Sequence, residues 1–316
     1  MRAELLYLLD VSSLTPSQDE VTIQGDLLRP LHRLTSHNFP IQIMATDKIL
    51  LITGNDLRHR YFVHHLNHHF PLTGVFFERL QYPEPLPMSK LEREAWHWFF
   101  NRRDKFEQQT FSSAKNLKPK NLPEIFHVPE GELNTPKWEN KIHTMDPDLI
   151  VLFGGSLIGD KILNKYPERI LNLHIGITGE YRGSSCNFWP IHDRRLECLG
   201  ATLIQINQGI DTGGILAQEI IKIEETDDEQ SLMGKTIILG VELAIEVIKK
   251  LGQNFSPRLD LNNNGSLFLK KDFGPQTVLK VKKMVESLGL KNSIKSHFRS
   301  QKNQPTPQRL LSALHK

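Results

Sequence analysis

The chain has 316 residues, 24% of them charged and 39% hydrophobic, which at about 100–200 residues per domain suits a globular protein of two domains or one large domain with appendages. This balance excludes collagen-like, disulfide-framework and wholly disordered chains, and no run approaches the roughly 18 uncharged apolar residues that cross a bilayer. The net charge of +3 is too weak to imply a nucleic-acid partner, and it hides a split. Residues 270–316 hold 11 Lys and Arg against 2 Asp and Glu, a net +9, while the first 269 residues hold 28 basic against 34 acidic, a net −6.

The first 43 residues show no clear periodicity and are read as an N-terminal extension, with Met44 as an alternative start. They lack the basic segment, long apolar run and cleavage site of a signal peptide. Cys186 and Cys198 supply neither a disulfide framework nor a zinc pattern, so a reduced, cytoplasmic setting is expected. Lys48–Thr53 reads as the first buried strand, and Gly54-Asn55-Asp56 as a turn with an acid placed to cap a helix over Leu57–Phe70. Gly74–Glu78 is a second strand, and Pro83-Glu84-Pro85-Leu86-Pro87 breaks the pattern. Residues 88–111 read as an amphipathic helix with Trp96, Trp98, Phe99, Phe100, Phe106 and Phe111. Asp148–Phe153 is the clearest buried parallel strand and ends in Gly154-Gly155. Ile170–His174, Ala201–Ile206 and Ile215–Ile221 follow as strands. Leu232–Leu251 is a helix with Ile237, Val241, Ala244, Ile245 and Ile248 on one side. Beyond it, Val278–Leu288 reads as a short helix, and the chain from about Lys291 as a frayed basic tail.

Several motifs are missing: no Gly-x-Gly-x-x-Gly follows the first strand, and there is neither a P-loop nor a Gly-x-Ser-x-Gly elbow. In the histidine group His59, His64, His65, His68 and His69, two pairs are spaced i,i+4. No carboxylate stands at a metalloprotease position between them, so solvated or half-buried histidines are favoured over metal ligands. The aromatic group at 96–111 sits at helical spacing and is read first as packing against the sheet.

The strongest constellation is Asn172-Leu173-His174, then Tyr181-Arg182-Gly183, then Gly209-Ile210-Asp211-Thr212-Gly213. Strand alternation puts Asn172 and His174 on one side, at the carboxyl edge where α/β sheets bind ligands. The glycines around Asp211 let backbone approach a ligand closely. In this order and spacing the chain resembles the folate-dependent formyltransferases, over roughly residues 48–251. The family's Ser-Leu-Leu-Pro loop is here Gly176-Ile177-Thr178-Gly179, which removes a hydroxyl and a proline.

The resemblance implies a Rossmann-like, mostly parallel α/β sheet in a catalytic domain over 44–251, with an insertion at about 83–128 and a basic C-terminal extension over 252–316. It implies Asn172, His174 and Asp211 as catalytic residues. Gly154, Gly155, Ser156, Leu157, Ile158, Gly209 and Ile210 are expected to line the folate side, and Tyr181, Arg182 and Gly183 the substrate side. The co-substrate expected is N10-formyltetrahydrofolate, with no metal and no membrane. Only 65 residues follow Leu251, with few strand signals, which disfavours the barrel-like C-terminal domain of methionyl-tRNA formyltransferases. The expectation is therefore transfer to a primary amine of a small acceptor, foremost an amino-sugar nucleotide, by a chain compatible with a homodimer. The alternatives are a methionyl-tRNA formyltransferase-like enzyme using the basic tail for RNA, and a non-catalytic folate- or RNA-binding protein.

Overall fold

A computed structural model describes residues 48–79, 85–251, 265–301 and 310–311. The expected N-terminal extension, residues 83–84 of the expected break and the last residues of the basic tail lie outside these. The elements are, in chain order, β1 (Ile49–Thr53), α1 (Leu57–His69), β2 (Leu72–Glu78), α2 (Lys90–Thr110), β3 (Glu124–Val128), α3 (Pro136–Met145), β4 (Leu149–Phe153), α4 (Asp160–Lys165) and β5 (Ile170–His174). There follow β6 (Tyr181–Gly183), α5 (Trp189–His192), β7 (Gly200–Gln205), β8 (Ile215–Ile220), α6 (Glu229–Leu251), β9 (Ser266–Phe268), α7 (Pro275–Glu286), α8 (Gly289–Gln301) and β10 (Leu310–Leu311).

The main sheet has the order β10-β8-β7-β5-β4-β1-β2-β3. From β3 to β5 all neighbours are parallel, and β5, β7, β8 and β10 then pair antiparallel. The fold is thus a mostly parallel α/β sheet, as the sequence implies. Strand order reverses between β1 and β4, which opens a crevice at their carboxyl ends.

Each central strand is buried on both faces, which is why β1 and β4 read as unbroken apolar runs. Ile49 and Leu51 join Leu149, Val151 and Phe153 under α1 and α6, while Leu50 and Ile52 join Ile150 and Leu152 on the face of α3. The α6 residues expected on one side, Ile237, Val241, Ala244, Ile245 and Ile248, all lie in the first of these cores. α2 starts with a capping box in which Ser89 N–H donates to Glu92 Oε2 at 2.8 Å and Glu92 N–H donates to Ser89 Oγ at 3.3 Å. Part of the expected insertion, residues 85–128, supplies α2 and the edge strand β3.

The aromatic group of α2 packs into a core rather than standing free. Trp96 and Phe99 are buried with Phe188, Trp189 and Phe273, with Phe99 meeting Phe188 edge-on at 5.7 Å. As far as Gln301, the frayed tail expected from Lys291 is instead the helix α8, because Leu290 and Ile294, four apart, are both buried in that same core. Among the described residues no helix is long and apolar enough to cross a membrane.

Candidate active site

β5 delivers the site. Leu171 and Leu173 point into the core, and Asn172 and His174 share the other side. Asp211 comes from the turn between β7 and β8 and carries three contacts on one carboxylate. Asn172 Nδ2 donates to Oδ1 at 3.1 Å, Gly183 N–H donates to Oδ2 at 2.8 Å, and His174 Nδ1 lies 3.2 Å from Oδ2. Asp211 holds the left-handed conformation at φ 50°, a strained backbone that Asp tolerates better than most residues.

The turn is braced by Asn207, which the sequence reading missed. Its Oδ1 accepts from Gly209 N–H at 2.9 Å and from Thr212 Oγ at 2.7 Å, and its Nδ2 donates to the Thr212 carbonyl at 3.0 Å. Asn is well suited to this because its side chain can close turns on nearby backbone. A side chain at Gly213 would start 1.6 Å from the Gln205 carbonyl oxygen, so that position admits only glycine.

His174 is buried, and its second nitrogen, Nε2, lies 3.0 Å from the Tyr181 carbonyl oxygen. That carbonyl can only accept. A ring donating from both nitrogens is the imidazolium form; a neutral ring can donate to only one of the two oxygens. Both ring nitrogens are thus engaged within the protein, Nδ1 with Asp211 and Nε2 with the Tyr181 carbonyl. Asn172 Nδ2 keeps a second hydrogen, because its side chain bonds only to Asp211 among the described residues. Gly176, which stands where the family has serine, leaves no room for a side chain: a Cβ there would lie 2.7 Å from His174 Nε2 and 2.6 Å from Cys186 Cβ. The Cys186 thiol is buried, and burial first, Asp211 second, pushes its pKa well up, so it stays protonated.

β6 pairs in parallel with β9, which ties Tyr181–Gly183 to Ser266–Phe268. Arg182 Nε donates to the Gly265 carbonyl at 3.0 Å, so this side chain braces the C-terminal segment rather than the Asn172–His174–Asp211 cluster. Phe268 stacks on Trp189 at 4.2 Å and on Tyr181 at 5.9 Å. The Tyr181 phenol donates to Asp193 Oδ2 at 3.2 Å, and burial followed by Asp193 raises its pKa.

The second predicted group, Gly154–Ile158, leaves the end of β4 beside β5. Ile158 packs on the core under α3, and Leu157 is 67% exposed. Ile210 is half-buried beside Asp211. The structure therefore brings Asn172, His174, Tyr181, Gly183 and Asp211 into one bonded cluster. No hydrogen bond among the described residues links that cluster to the Gly154–Ile158 loop.

At the crevice between β1 and β4 lies His59, buried against Gly54 and Gly154, with its ring 5.0 Å from that of Phe153. Its Nδ1 accepts the Asp56 N–H at 3.2 Å. Burial first, then Arg58 and Arg103, hold its pKa well below the usual value of 6.5. The folded protein therefore keeps this ring neutral while the unfolded chain takes up a proton below pH 6.5. His59 contributes stability that is full above that pH and lost as pH falls toward the folded-state pKa. Between pH 6.5 and 5.5 the loss is expected to be about 1 kcal/mol. Urea unfolding at both pH values should show a drop that His59→Gln reduces; equal drops in both proteins would disprove this role. Of the other histidines, the His65 ring lies tilted against that of Tyr61 at 4.1 Å and His68 Nδ1 lies 2.8 Å from the Lys118 carbonyl. Among the described residues no group of three or more His, Cys, Asp or Glu is arranged to hold a metal ion.

A mostly parallel α/β sheet with an Asn–His–Asp cluster at the carboxyl end of β5 has the arrangement in which α/β domains bind ligands. The formyl transferase family model matches residues 102–248. Methionyl-tRNA formyltransferase of Caldanaerobacter subterraneus subsp. tengcongensis is 32% identical over 143 residues, 45% of this chain and 46% of that protein. The Finegoldia magna enzyme of the same description is 32% identical over 128 residues, 40% and 41% of the two chains. The chain thus matches under half the length of these curated relatives. Among solved structures, a 4-N formyltransferase from Francisella tularensis is 19% identical with a TM-score of 0.48, over 72% of this chain and 78% of that one. An N-formyltransferase from Helicobacter canadensis, solved with folinic acid and dTDP-3-aminofucose, is 18% identical with a TM-score of 0.47, over 73% and 78%. Together with the motifs, the family match and the curated relatives support the folate-dependent formyltransferase family for this chain.

Proposed function

We propose that the chain transfers a formyl group from N10-formyltetrahydrofolate to a primary amine, most readily that of an amino-sugar nucleotide. The observation that carries the reading is the bonded cluster of Asn172, His174 and Asp211 at the carboxyl edge of β5. The amine nitrogen forms a bond to the formyl carbon, the carbonyl oxygen gains negative charge, and the bond from carbon to N10 breaks. The second Nδ2 hydrogen of Asn172 is the donor for that developing charge, held in aim by Asp211. The amine must lose a proton and N10 must gain one. His174 and Asp211 share the site's mobile proton and carry this exchange. The Gly154–Ile158 loop and the crevice between β1 and β4 take the folate side.

The small acceptor is supported by the wall beside Gly183. Phe268 is stacked between Tyr181 and Trp189, and the exposed Leu267 beside it offers an apolar contact to a small acceptor. A second reading, methionyl-tRNA as acceptor, is favoured by the curated relatives and by Lys280, Lys283, Lys291, Lys295 and Arg299 on the exposed sides of α7 and α8. Incubation with N10-formyltetrahydrofolate and each acceptor should release tetrahydrofolate with an amino-sugar nucleotide. Release with methionyl-tRNA alone would reverse the choice of acceptor, and no release with any amine would overturn formyl transfer.

A further inference from the structure

Glu78 ends β2 and is fully buried, yet no cation pairs with it among the described residues. Its carboxylate is satisfied by three donors from two loops. Ser156 N–H donates to Oε2 at 2.6 Å, Ser156 Oγ–H donates to Oε1 at 2.5 Å, and Gly131 N–H donates to Oε1 at 3.2 Å. Gly154 and Gly155, just before Ser156, both hold positive φ, 68° and 114°, and a Cβ at Gly155 would lie 3.3 Å from Glu78 Oε2. The loop can therefore bend over the carboxylate only with glycine at these positions.

A second hold acts three residues on. Asn134 Nδ2 donates to the Leu157 carbonyl at 2.8 Å, and Asn134 Oδ1 accepts from Gly159 N–H at 2.7 Å. Between the two holds stands Leu157, its side chain 67% exposed although its backbone is fixed on both sides. A large apolar side chain held out to solvent on a fastened loop is a contact surface waiting for an apolar partner.

We infer that Glu78 and Asn134 are positioning residues: they clamp the Gly154–Ile158 loop so that it presents Leu157 to the flat aromatic part of a ligand bound at the crevice. That the ligand is the folate co-substrate rests on the function proposed above; the clamp itself does not. Neither residue touches the ligand. Their effect falls on ligand affinity, because a loose loop must be ordered at each binding event.

Two measurements test this separately. The first is amide hydrogen exchange on the ligand-free protein. Glu78→Gln, which loses the carboxylate charge, and Asn134→Ala, which loses two neutral amide bonds, should each speed exchange across residues 154–159 by about tenfold, with the rest of the chain unchanged. Unchanged exchange in both variants overturns the clamp. The second is steady-state formyl transfer. Both variants should raise KM for N10-formyltetrahydrofolate by about tenfold and leave kcat within about threefold, a split that general damage to the fold would not give. Asn134 is exposed, so its variant tests the idea even where Glu78→Gln unfolds. Faster exchange with KM unmoved overturns the link to folate and leaves the clamp standing. Faster exchange in a protein that binds no folate overturns the function proposed above and still supports the clamp.

Discussion

Replacing Asp211 with alanine is expected to lower kcat for formyl transfer about 1000-fold, with KM for either substrate changed much less. The one carboxylate sets three things at once: the amide plane of Asn172, the ring of His174 and the backbone of Gly183. Its loss frees the Asn172 amide to rotate and leaves His174 bonded to the Tyr181 carbonyl alone. Asn172→Ala removes the donor itself and should cost about 100–1000-fold. Residues that act as one unit do not add, so the double variant Asn172→Ala, Asp211→Ala should be little slower than Asp211→Ala alone. The check is kcat and KM from tetrahydrofolate release for the three proteins, with circular dichroism to show each is folded. A kcat within tenfold of the wild type for Asp211→Ala would refute the assignment, and strict additivity would show that the two groups work separately.

Gly183→Ala is expected to destabilise the protein by at least about 2 kcal/mol and to lower activity as well. Gly183 has φ 88°, and a Cβ there would lie 2.1 Å from the Phe268 carbonyl oxygen. That oxygen accepts the Ser184 N–H at 2.7 Å, so it cannot withdraw without breaking the pairing of β6 with β9. The same residue donates to Asp211, so a displaced backbone at 183 also loosens the carboxylate. Equilibrium urea unfolding and kcat, measured on one preparation, test both effects. A stability within about 0.5 kcal/mol of the wild type, the usual span of an innocuous surface change, would show that β9 yields without cost.

What could be read directly from the chain depended on how local the cause was. β1 and β4 were legible because a strand buried on both faces must be apolar throughout. Asn172 and His174 were legible because alternation along a strand is fixed geometry, and Asp211 because glycines mark a turn where backbone crowds. β6 and β9 were not legible: three-residue strands such as Tyr181–Gly183 and Ser266–Phe268 are held by a partner far along the chain and show no alternation of their own. Glu78 looks like an ordinary acid at a strand end, since its donors stand 53 and 78 residues away. The contact of His174 with Tyr181 goes to a backbone carbonyl, which leaves no mark on residue type. The histidine group of α1 shows the reverse. Its spacing draws the eye, but only His59 lies in the crevice, placed there by the two glycines that make room for it.

The parallel pairing of β6 with β9 also dictates the order in which the site can mature. Gly265, which receives the Arg182 side chain, is synthesised 83 residues after it. The fourteen residues of β5, the loop after it and β6, which supply Asn172, His174, Tyr181 and Gly183, emerge from the ribosome long before the strand that locks them. The nascent protein can therefore form its central sheet first, since domains build from N-terminal parts during synthesis. The bonds of the catalytic cluster all lie between Asn172 and Asp211, but the strand that pairs with β6 arrives later, so loss of the chain beyond Leu251 should leave a folded sheet with Gly183 less firmly held.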